Sequence, residues 1–227
     1  MSDSFCIVGN EEFFIQALHD RLLRAGASFV DEAESADFVI AVGEGFHGDM
    51  IILSGSQKSK DSDFVVRIHD LLSPEGKLRS WGDDVLHNWA RLITQGSKTY
   101  SMTENEPKFW VHIRDVCDAL CMLIMNNKVI ESKNELNISG RRAWSSRSII
   151  QEMEMLWGRY SNSLNHSHTA ESLSSLHGPV VEMQSFQSER PDLSTLHDCL
   201  RQCGTEGWHP LVPMRVSLME IFAHANA

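Results

Sequence analysis

The sequence predicts an α/β fold built on a parallel β-sheet, and two observations carry that prediction. Apolar runs of strand length recur between residues 5 and 68, without the alternation with polar residues that marks a half-exposed strand. Such continuous runs are typical of strands buried on both faces, as they are in a parallel sheet. The first run ends in Gly9, and an amphipathic stretch closed by Gly26 follows it, which is the order strand, turn, helix.

The front half contains five predicted strands, at residues 5–8, 28–30, 38–42, 50–53 and 64–68. A parallel crossover needs about a dozen residues or more, usually with a helix. The connections 43–49 and 55–63 are shorter than that and polar. Either these strands are not all parallel neighbours, or the helices that would cover one face of the sheet are missing.

The second half is more helical. Its apolar spacing predicts helices at residues 83–95, 114–126, 145–157, 192–202 and 216–225. Short strands are expected at residues 110–113, 136–138 and 180–183, and the Ser-, Asn- and His-rich stretch 159–176 predicts a loop. We expect one unit over residues 1–227, with a core of about 1–75 and 99–130 and a smaller lobe of about 76–98 and 131–227.

Composition restricts the classes of function. The 227 residues carry a formal net charge of −11, which repels phosphate backbones and anionic lipid, so we expect no nucleic-acid and no membrane partner. The acidic start lacks the basic region of a signal peptide. Five cysteines without a Cys-x-x-Cys pair indicate neither a disulfide framework nor a zinc ribbon. We therefore expect a soluble, cytoplasmic, reduced protein without a metal site.

Several segments resemble one family. Residues 109–120, with the sequence FWVHIRDVCDAL, resemble the signature FvHVdDva.A of the extended short-chain dehydrogenase/reductases, the NAD-dependent nucleotide-sugar epimerases and dehydratases. Residues 64–74 resemble a strand and loop of that family, and three later motifs follow in the family's order, at residues 134–140, 190–194 and 207–210. The resemblance implies a Rossmann-like parallel sheet, here trimmed, with a small mixed α/β lobe at the C-terminal end.

The cofactor motif of the family is degenerate in this chain. The family's GxxGxxG fingerprint falls on Gly9, Glu12 and Ile15, so two of its three glycines are replaced. Glu12 would place a carboxylate where the pyrophosphate should lie, at a helix N-terminus that favours anions. Alternatively, Gly9 is an ordinary turn glycine and Glu11 and Glu12 are first-turn acids. Under either interpretation no cofactor is expected, and NAD(P) is disfavoured.

The catalytic pair of the family, Tyr-x-x-x-Lys, is also missing. Four residues after Tyr100 comes Glu104, and four after Tyr160 comes Leu164. Ser54 or Ser56 could match the family's catalytic serine, but a serine without the tyrosine has no proton acceptor beside it. A polar strand end is the alternative interpretation of these two serines.

The substrate side of the family pattern is better preserved. The resemblance implies that Lys108 and Arg190 contact the diphosphate of a nucleotide-sugar, and two cations in one pocket suit that group. The alternative is that both are surface charges or partners of nearby acids.

Two function hypotheses follow. The first is a non-catalytic binding or assembly subunit, with or without a retained nucleotide-sugar pocket. The second is an active NAD(P)-dependent epimerase, dehydratase or reductase with an altered cofactor site. The missing helices favour the first, because they would leave an apolar sheet face that a second copy or another protein should cover. That face comprises Val39, Ile51, Leu53, Val65 and Val66.

Overall fold

The computed structural model describes residues 3–55, 57, 64–76, 81, 84–100, 107–130, 134–165 and 190–225. Its main sheet contains the strands β1 (Ser4–Gly9), β2 (Ser28–Phe29), β3 (Phe38–Val42), β4 (Met50–Ser54), β5 (Phe64–Ile68) and β8 (Glu135–Ile138). Their order is β2-β1-β3-β4-β5-β8, and every pairing is parallel. Two further short strands, β6 (Leu71–Leu72) and β7 (Val111–His112), form a separate parallel ribbon. The predicted Rossmann-like α/β fold is confirmed.

The described helices fall into two packing groups. Three of them pack on one face of the main sheet and share its core, namely α1 (Glu12–Arg24), α3 (Ile113–Met125) and α5 (Ser194–Gln202). The other three form a second apolar core, namely α2 (Val85–Thr94), α4 (Ser146–Leu164) and α6 (Met214–Ala225). Burial of apolar side chains in these two cores, at about 25 cal/mol per Å² removed from water, is the main stabilising contribution.

The connection between β3 and β4 settles the question that the short linkers raised. The two strands are parallel neighbours, and the described residues 43–49 between them contain no helix. The chain instead returns in close contact with β3: the Asp49 carboxylate accepts a hydrogen bond from the Val39 N–H at 2.7 Å. A β-carbon on Gly48 would lie 2.7 Å from the Val39 carbonyl oxygen, so only glycine fits there. The covering helix at this crossover is therefore missing.

The sheet face opposite the helices is not bare, which corrects one expectation. Leu53 is 1% exposed and Ile51 and Val65 are each 5% exposed. They form a small apolar cluster against which Phe46, from the 43–49 connection, packs. Val66 points to the other face and is fully buried in the main core, and Val39 is half-buried. The expectation of a bare face is wrong for Ile51, Leu53 and Val65, because the short connection itself brings an aromatic side chain onto that face.

The C-terminal half departs from its predicted secondary structure in helix α4. Helix α4 continues to Leu164, past the start of the predicted loop at 159, and the Trp157 ring lies 5.4 Å from Phe222. Strand β8 and helix α5, which the predicted division assigns to the lobe, pack with the main sheet. The strand expected at 180–183 and the rest of the predicted loop to 176 lie outside the described residues.

None of the described helices is both long enough and apolar enough to cross a bilayer.

Candidate functional site

Ligands of open α/β sheets bind at the carboxyl ends of the strands. At this edge β1 ends in Gly9, which lies against the end of β3. A β-carbon on Gly9 would lie 2.3 Å from the Val42 carbonyl oxygen, so the neighbouring backbones can approach only if this residue is glycine. Gly9 therefore has a structural role in strand packing, whatever it does for a ligand.

The N-terminus of α1 holds a buried carboxylate, and it is Glu11. This residue occupies the N-cap position and is 2% exposed, whereas Glu12 is exposed and lines a groove between α1 and α3. Ile15 is half-buried and packs against the main core. The spacing of Glu11 from Phe14 and Leu18, at three and seven residues, places it on the apolar face of α1. That signal identifies Glu11, which the motif comparison missed in favour of Glu12.

Ser54 closes a tight turn at the end of β4. Its backbone N–H donates to Gln57 Oε1, and the Gln57 N–H donates to the Ser54 carbonyl oxygen, both at 3.0 Å. Ser54 is 7% exposed. This geometry is that of a polar strand end, and Ser56 lies outside the described residues.

Neither tyrosine is placed to act as a base. The Tyr100 hydroxyl donates a hydrogen bond to a carboxylate oxygen of Glu154 at 2.7 Å. Burial, together with the Glu154 carboxylate, raises the pKa of Tyr100 to about 12, so the phenol keeps its proton at neutral pH. Tyr160 is 43% exposed on α4.

Lys108 and Arg190 both border the segment 141–144. Lys108 pairs with Trp144 in an antiparallel bridge, with N···O distances of 3.0 and 2.9 Å. Its ammonium lies 3.9 Å from the Asp70 carboxylate, which also accepts the Phe109 N–H at 2.7 Å. Arg190 is exposed, and its guanidinium lies 3.5 Å from the Arg141 carbonyl oxygen. The structure thus brings the two predicted cations to one segment, and it gives Lys108 an acidic neighbour.

His112 connects the start of α3 to helix α6. Its Nδ1 accepts the Arg114 N–H at 3.1 Å and caps α3, so Nε2 carries the proton and donates to Glu220 at 3.0 Å. The guanidinium of Arg114 also reaches Glu220, at 3.2 Å. Burial lowers the pKa of His112 and outweighs the opposite effect of Glu220. His112 is therefore neutral and structural at this position.

The lowered pKa of His112 makes stability depend on pH. As pH falls through the ordinary histidine value of about 6.5, the unfolded chain takes up a proton that the folded chain resists. We expect wild-type protein to lose free energy of unfolding between pH of about 7.5 and about 5.5, and His112→Asn, which can still cap α3, to lose less. Urea unfolding of both proteins at the two pH values measures the difference. An equal loss of free energy of unfolding in the two proteins would contradict the conclusion that His112 causes the pH dependence.

Asp115 ties α3 to the segment that precedes α6. It is 5% exposed, and its carboxylate accepts the N–H groups of Leu211 at 2.8 Å and Val212 at 3.1 Å. This contact gives Asp115 a structural role. No group of three or more His, Cys, Asp or Glu that could hold a metal occurs in the described part of the chain.

Comparisons with known proteins identify the fold. No protein-family model matches this chain, and no curated protein matches it. Among solved structures, RMD from Pseudomonas aeruginosa complexed with NADPH is 14% identical, with a TM-score of 0.60 over 98% of this chain and 99% of that one. UDP-glucose 4-epimerase from Thermotoga maritima with UDP-glucose is 10% identical, with a TM-score of 0.53 over 98% of each chain. The dTDP-glucose 4,6-dehydratase from Bacillus anthracis in complex with NAD is 9% identical, with a TM-score of 0.56 over 99% of this chain and 96% of that one. At these identities the likeness shows a shared fold.

Proposed function

We propose that this chain binds a nucleotide-sugar on the fold of the epimerases and dehydratases, and that it has lost their hydride-transfer chemistry. It then acts as a non-catalytic binding subunit. The observation that carries the proposal is the carboxylate of Glu11, buried at the start of α1, where a protein of this fold would bind a dinucleotide pyrophosphate.

The residues at the start of α1 do not fit a dinucleotide bound in the family's manner. A pyrophosphate needs backbone N–H groups and a close approach of the backbone, which glycines permit. Here Glu11 and Glu12 bring two carboxylates to that end of the helix, and Ile15 adds a side chain at the third glycine position. Carboxylates repel a pyrophosphate, and the repulsion is weakened by water at the exposed Glu12 more than at the buried Glu11.

The proton-transfer step also lacks its residues. The sequence contains no Tyr-x-x-x-Lys pair, and Tyr100 is held as a phenol by burial and Glu154. Ser54 is engaged in a turn at the end of β4. Tyr100, held as a phenol, cannot take a proton from a sugar hydroxyl at neutral pH.

The substrate side supports retained binding. The chain is strongly acidic overall, with a net charge of −11, yet Lys108 and Arg190 both border segment 141–144. Cations gathered against the charge of the whole chain suit a diphosphate. The solved structure of the same fold from Thermotoga maritima is a complex with UDP-glucose, whereas those from Pseudomonas aeruginosa and Bacillus anthracis hold NADPH and NAD, so the ligands of these structures are compatible with either class.

Calorimetric titration with NAD⁺, NADP⁺ and a panel of UDP-, dTDP- and GDP-sugars tests the proposal. We expect a nucleotide-sugar to bind and neither dinucleotide to bind. The double variant Lys108→Met with Arg190→Met should weaken binding roughly 100-fold, at about tenfold per charged contact. A matched control, Lys128→Met with Arg201→Met, removes the same charge from exposed positions elsewhere and should bind normally. Binding of a dinucleotide would favour the active enzyme with an altered cofactor site.

Restoring two glycines should not restore the cofactor. The variant Glu12→Gly with Ile15→Gly recreates the glycine spacing but leaves the buried Glu11 carboxylate in place. We expect no dinucleotide binding by calorimetry, because the anion would still meet that carboxylate. Recovered micromolar binding would show that Glu12 and Ile15 alone exclude the cofactor.

Assembly with a second copy or with another protein stays a prediction. The burial of Ile51, Leu53 and Val65 removes the bare face that motivated it. Light scattering tests it: a complex has a mass above the 25.7 kDa of one chain, and a single species at that mass contradicts it.

A further inference from the structure

A cavity of about 260 Å³ lies beside segment 141–144, and residues of the motifs described above, among them Trp110, His112 and Asp115, contribute to its lining. We call it the Arg–Trp cavity, because Trp110, Arg141, Arg142 and Trp144 line it, with Val212 and Met214 among the residues on its apolar side. The sequence comparison singled out none of the four polar and aromatic residues as a site.

The position of segment 141–144 is fixed by backbone contacts on both sides. The bridge between Lys108 and Trp144 holds its end, and the Gly140 N–H donates to the Phe109 carbonyl oxygen at 2.7 Å. A β-carbon on Gly140 would lie 2.2 Å from the Trp110 carbonyl oxygen, so the segment sits as close as a backbone can. A ligand therefore meets groups that are ordered before it binds, which lowers the entropy cost of binding.

The charged groups around the cavity are arranged for an anion. The Arg142 guanidinium stacks on the Trp144 ring at 4.3 Å, and the Lys108 ammonium lies 5.2 Å from the Trp110 ring. Stacking holds the guanidinium plane while its N–H edges stay available, which is the geometry that recognises phosphate. Arg141 and Arg142 are both exposed, so a ligand can reach them from solvent.

The acid that lines the described part of the cavity is already engaged. Asp115 accepts the backbone N–H groups of Leu211 and Val212. The Arg141 guanidinium lies 2.9 Å from His209 Nδ1 and has further N–H groups beyond that contact with which to meet a ligand. His112, also in the lining, is kept neutral by burial, which lowers its pKa.

The size of the cavity limits the ligand. Pockets that enclose drug-sized ligands measure about 300–1,000 Å³, so 260 Å³ admits one phosphate and one ring rather than a whole dinucleotide. Tryptophan rings provide flat apolar surfaces on which a sugar or a base packs.

We infer that the Arg–Trp cavity binds a phosphate attached to a ring, with Arg141 and Arg142 on the phosphate and Trp110 and Trp144 against the ring. The inference rests on the proposed function, since a nucleotide-sugar carries this chemistry twice, as a sugar phosphate and as a nucleoside phosphate.

Titrations with UDP-glucose, UMP, glucose 1-phosphate and inorganic phosphate test it, read by calorimetry and by tryptophan fluorescence. The proteins are wild type, Arg141→Gln and Arg142→Gln, with Arg147→Gln as the matched control, because Arg147 is exposed, carries the same charge and does not line the cavity. Of UMP and glucose 1-phosphate, we follow the one that binds wild type more tightly. We expect Arg142→Gln to weaken its binding about tenfold or more, and Arg147→Gln to leave its binding unchanged. Stronger binding of UMP than of glucose 1-phosphate identifies the nucleoside end, and the reverse identifies the sugar end.

Three outcomes separate this inference from the proposed function. UDP-glucose binding that depends on Lys108 and Arg190 but not on Arg141 or Arg142 overturns the inference and leaves the proposed function standing. If UMP or glucose 1-phosphate binds in a way that depends on Arg142 while no nucleotide-sugar binds, the inference about the cavity is supported and the proposed function is overturned. Inorganic phosphate that binds as tightly as both ring phosphates overturns the role of the tryptophans.

Discussion

Phe14→Ala is expected to lower the free energy of unfolding by about 3–5 kcal/mol, the usual cost of emptying a buried aromatic site. Phe14 is fully buried in the first turns of α1, and its ring lies 4.9 Å from that of Trp81. This contact joins the front of the sheet to the chain that follows β6. Phe14 thus serves packing at the N-terminal end of α1. Urea unfolding measures the loss.

Phe13→Ala is the matched control for this variant. Phe13 is the adjacent aromatic residue in α1, but it is half-buried and lines the groove between α1 and α3. Phe13→Ala should lower the free energy of unfolding by about 1 kcal/mol, near the mean for ordinary substitutions. An equal loss of free energy of unfolding in the two variants would show that Phe14 contributes no more to the core than the half-buried Phe13.

Arg215→Met is expected to cost about 3 kcal/mol, because it leaves a carboxylate buried without its cation. Glu152 on α4 is 5% exposed, and the Arg215 guanidinium on α6 donates to it. The expected loss in the free energy of unfolding lies at the low end of the range for breaking a buried ion pair. The reason is that the Arg215 side chain is 42% exposed, so water screens its charge.

The double variant Glu152→Met with Arg215→Met separates the pair from its surroundings. Removing both charges should recover most of the loss, because a well-packed apolar pair can replace a buried ion pair at little cost. Arg147→Met, on the exposed part of α4, controls for the loss of one arginine and should change stability by less than about 0.5 kcal/mol. If Arg215→Met alone is as stable as wild type, Glu152 does not need Arg215 as its partner, which would contradict this prediction.

The sheet could be predicted from the sequence because its strands are continuous apolar runs. Residues 38–42, 50–53 and 64–68 become β3, β4 and β5 with small changes at their ends. The linkers between them were too short for crossover helices, and the structure confirms this for residues 43–49. What covers the opposite face could not be predicted, since Phe46 stands alone in a polar loop and carries no periodic signal.

The lobe and the site were harder to predict for different reasons. Residues 159–164 are helical although their polar composition indicated a loop, because tertiary contacts such as Trp157 with Phe222 outweigh weak local propensity. At the start of α1, the motif comparison selected Glu12, whereas the spacing of apolar residues along the helix selects Glu11 as the buried acid. The Arg–Trp cavity is lined by residues from four separate parts of the chain. A local sequence pattern cannot predict that such distant residues lie close together in the fold.

One NMR sample tests the central claim, that the chain binds a nucleotide-sugar without turning it over. Protein, NAD⁺ and UDP-glucose are mixed; saturation transfer from protein to ligand protons reports binding, and new sugar signals over time report conversion. The account predicts saturation transfer to UDP-glucose, none to NAD⁺, and an unchanged sugar spectrum. New signals of an epimer or a keto-sugar would contradict the loss of catalysis, and absence of transfer to this or any other nucleotide-sugar of the panel would contradict the retained pocket.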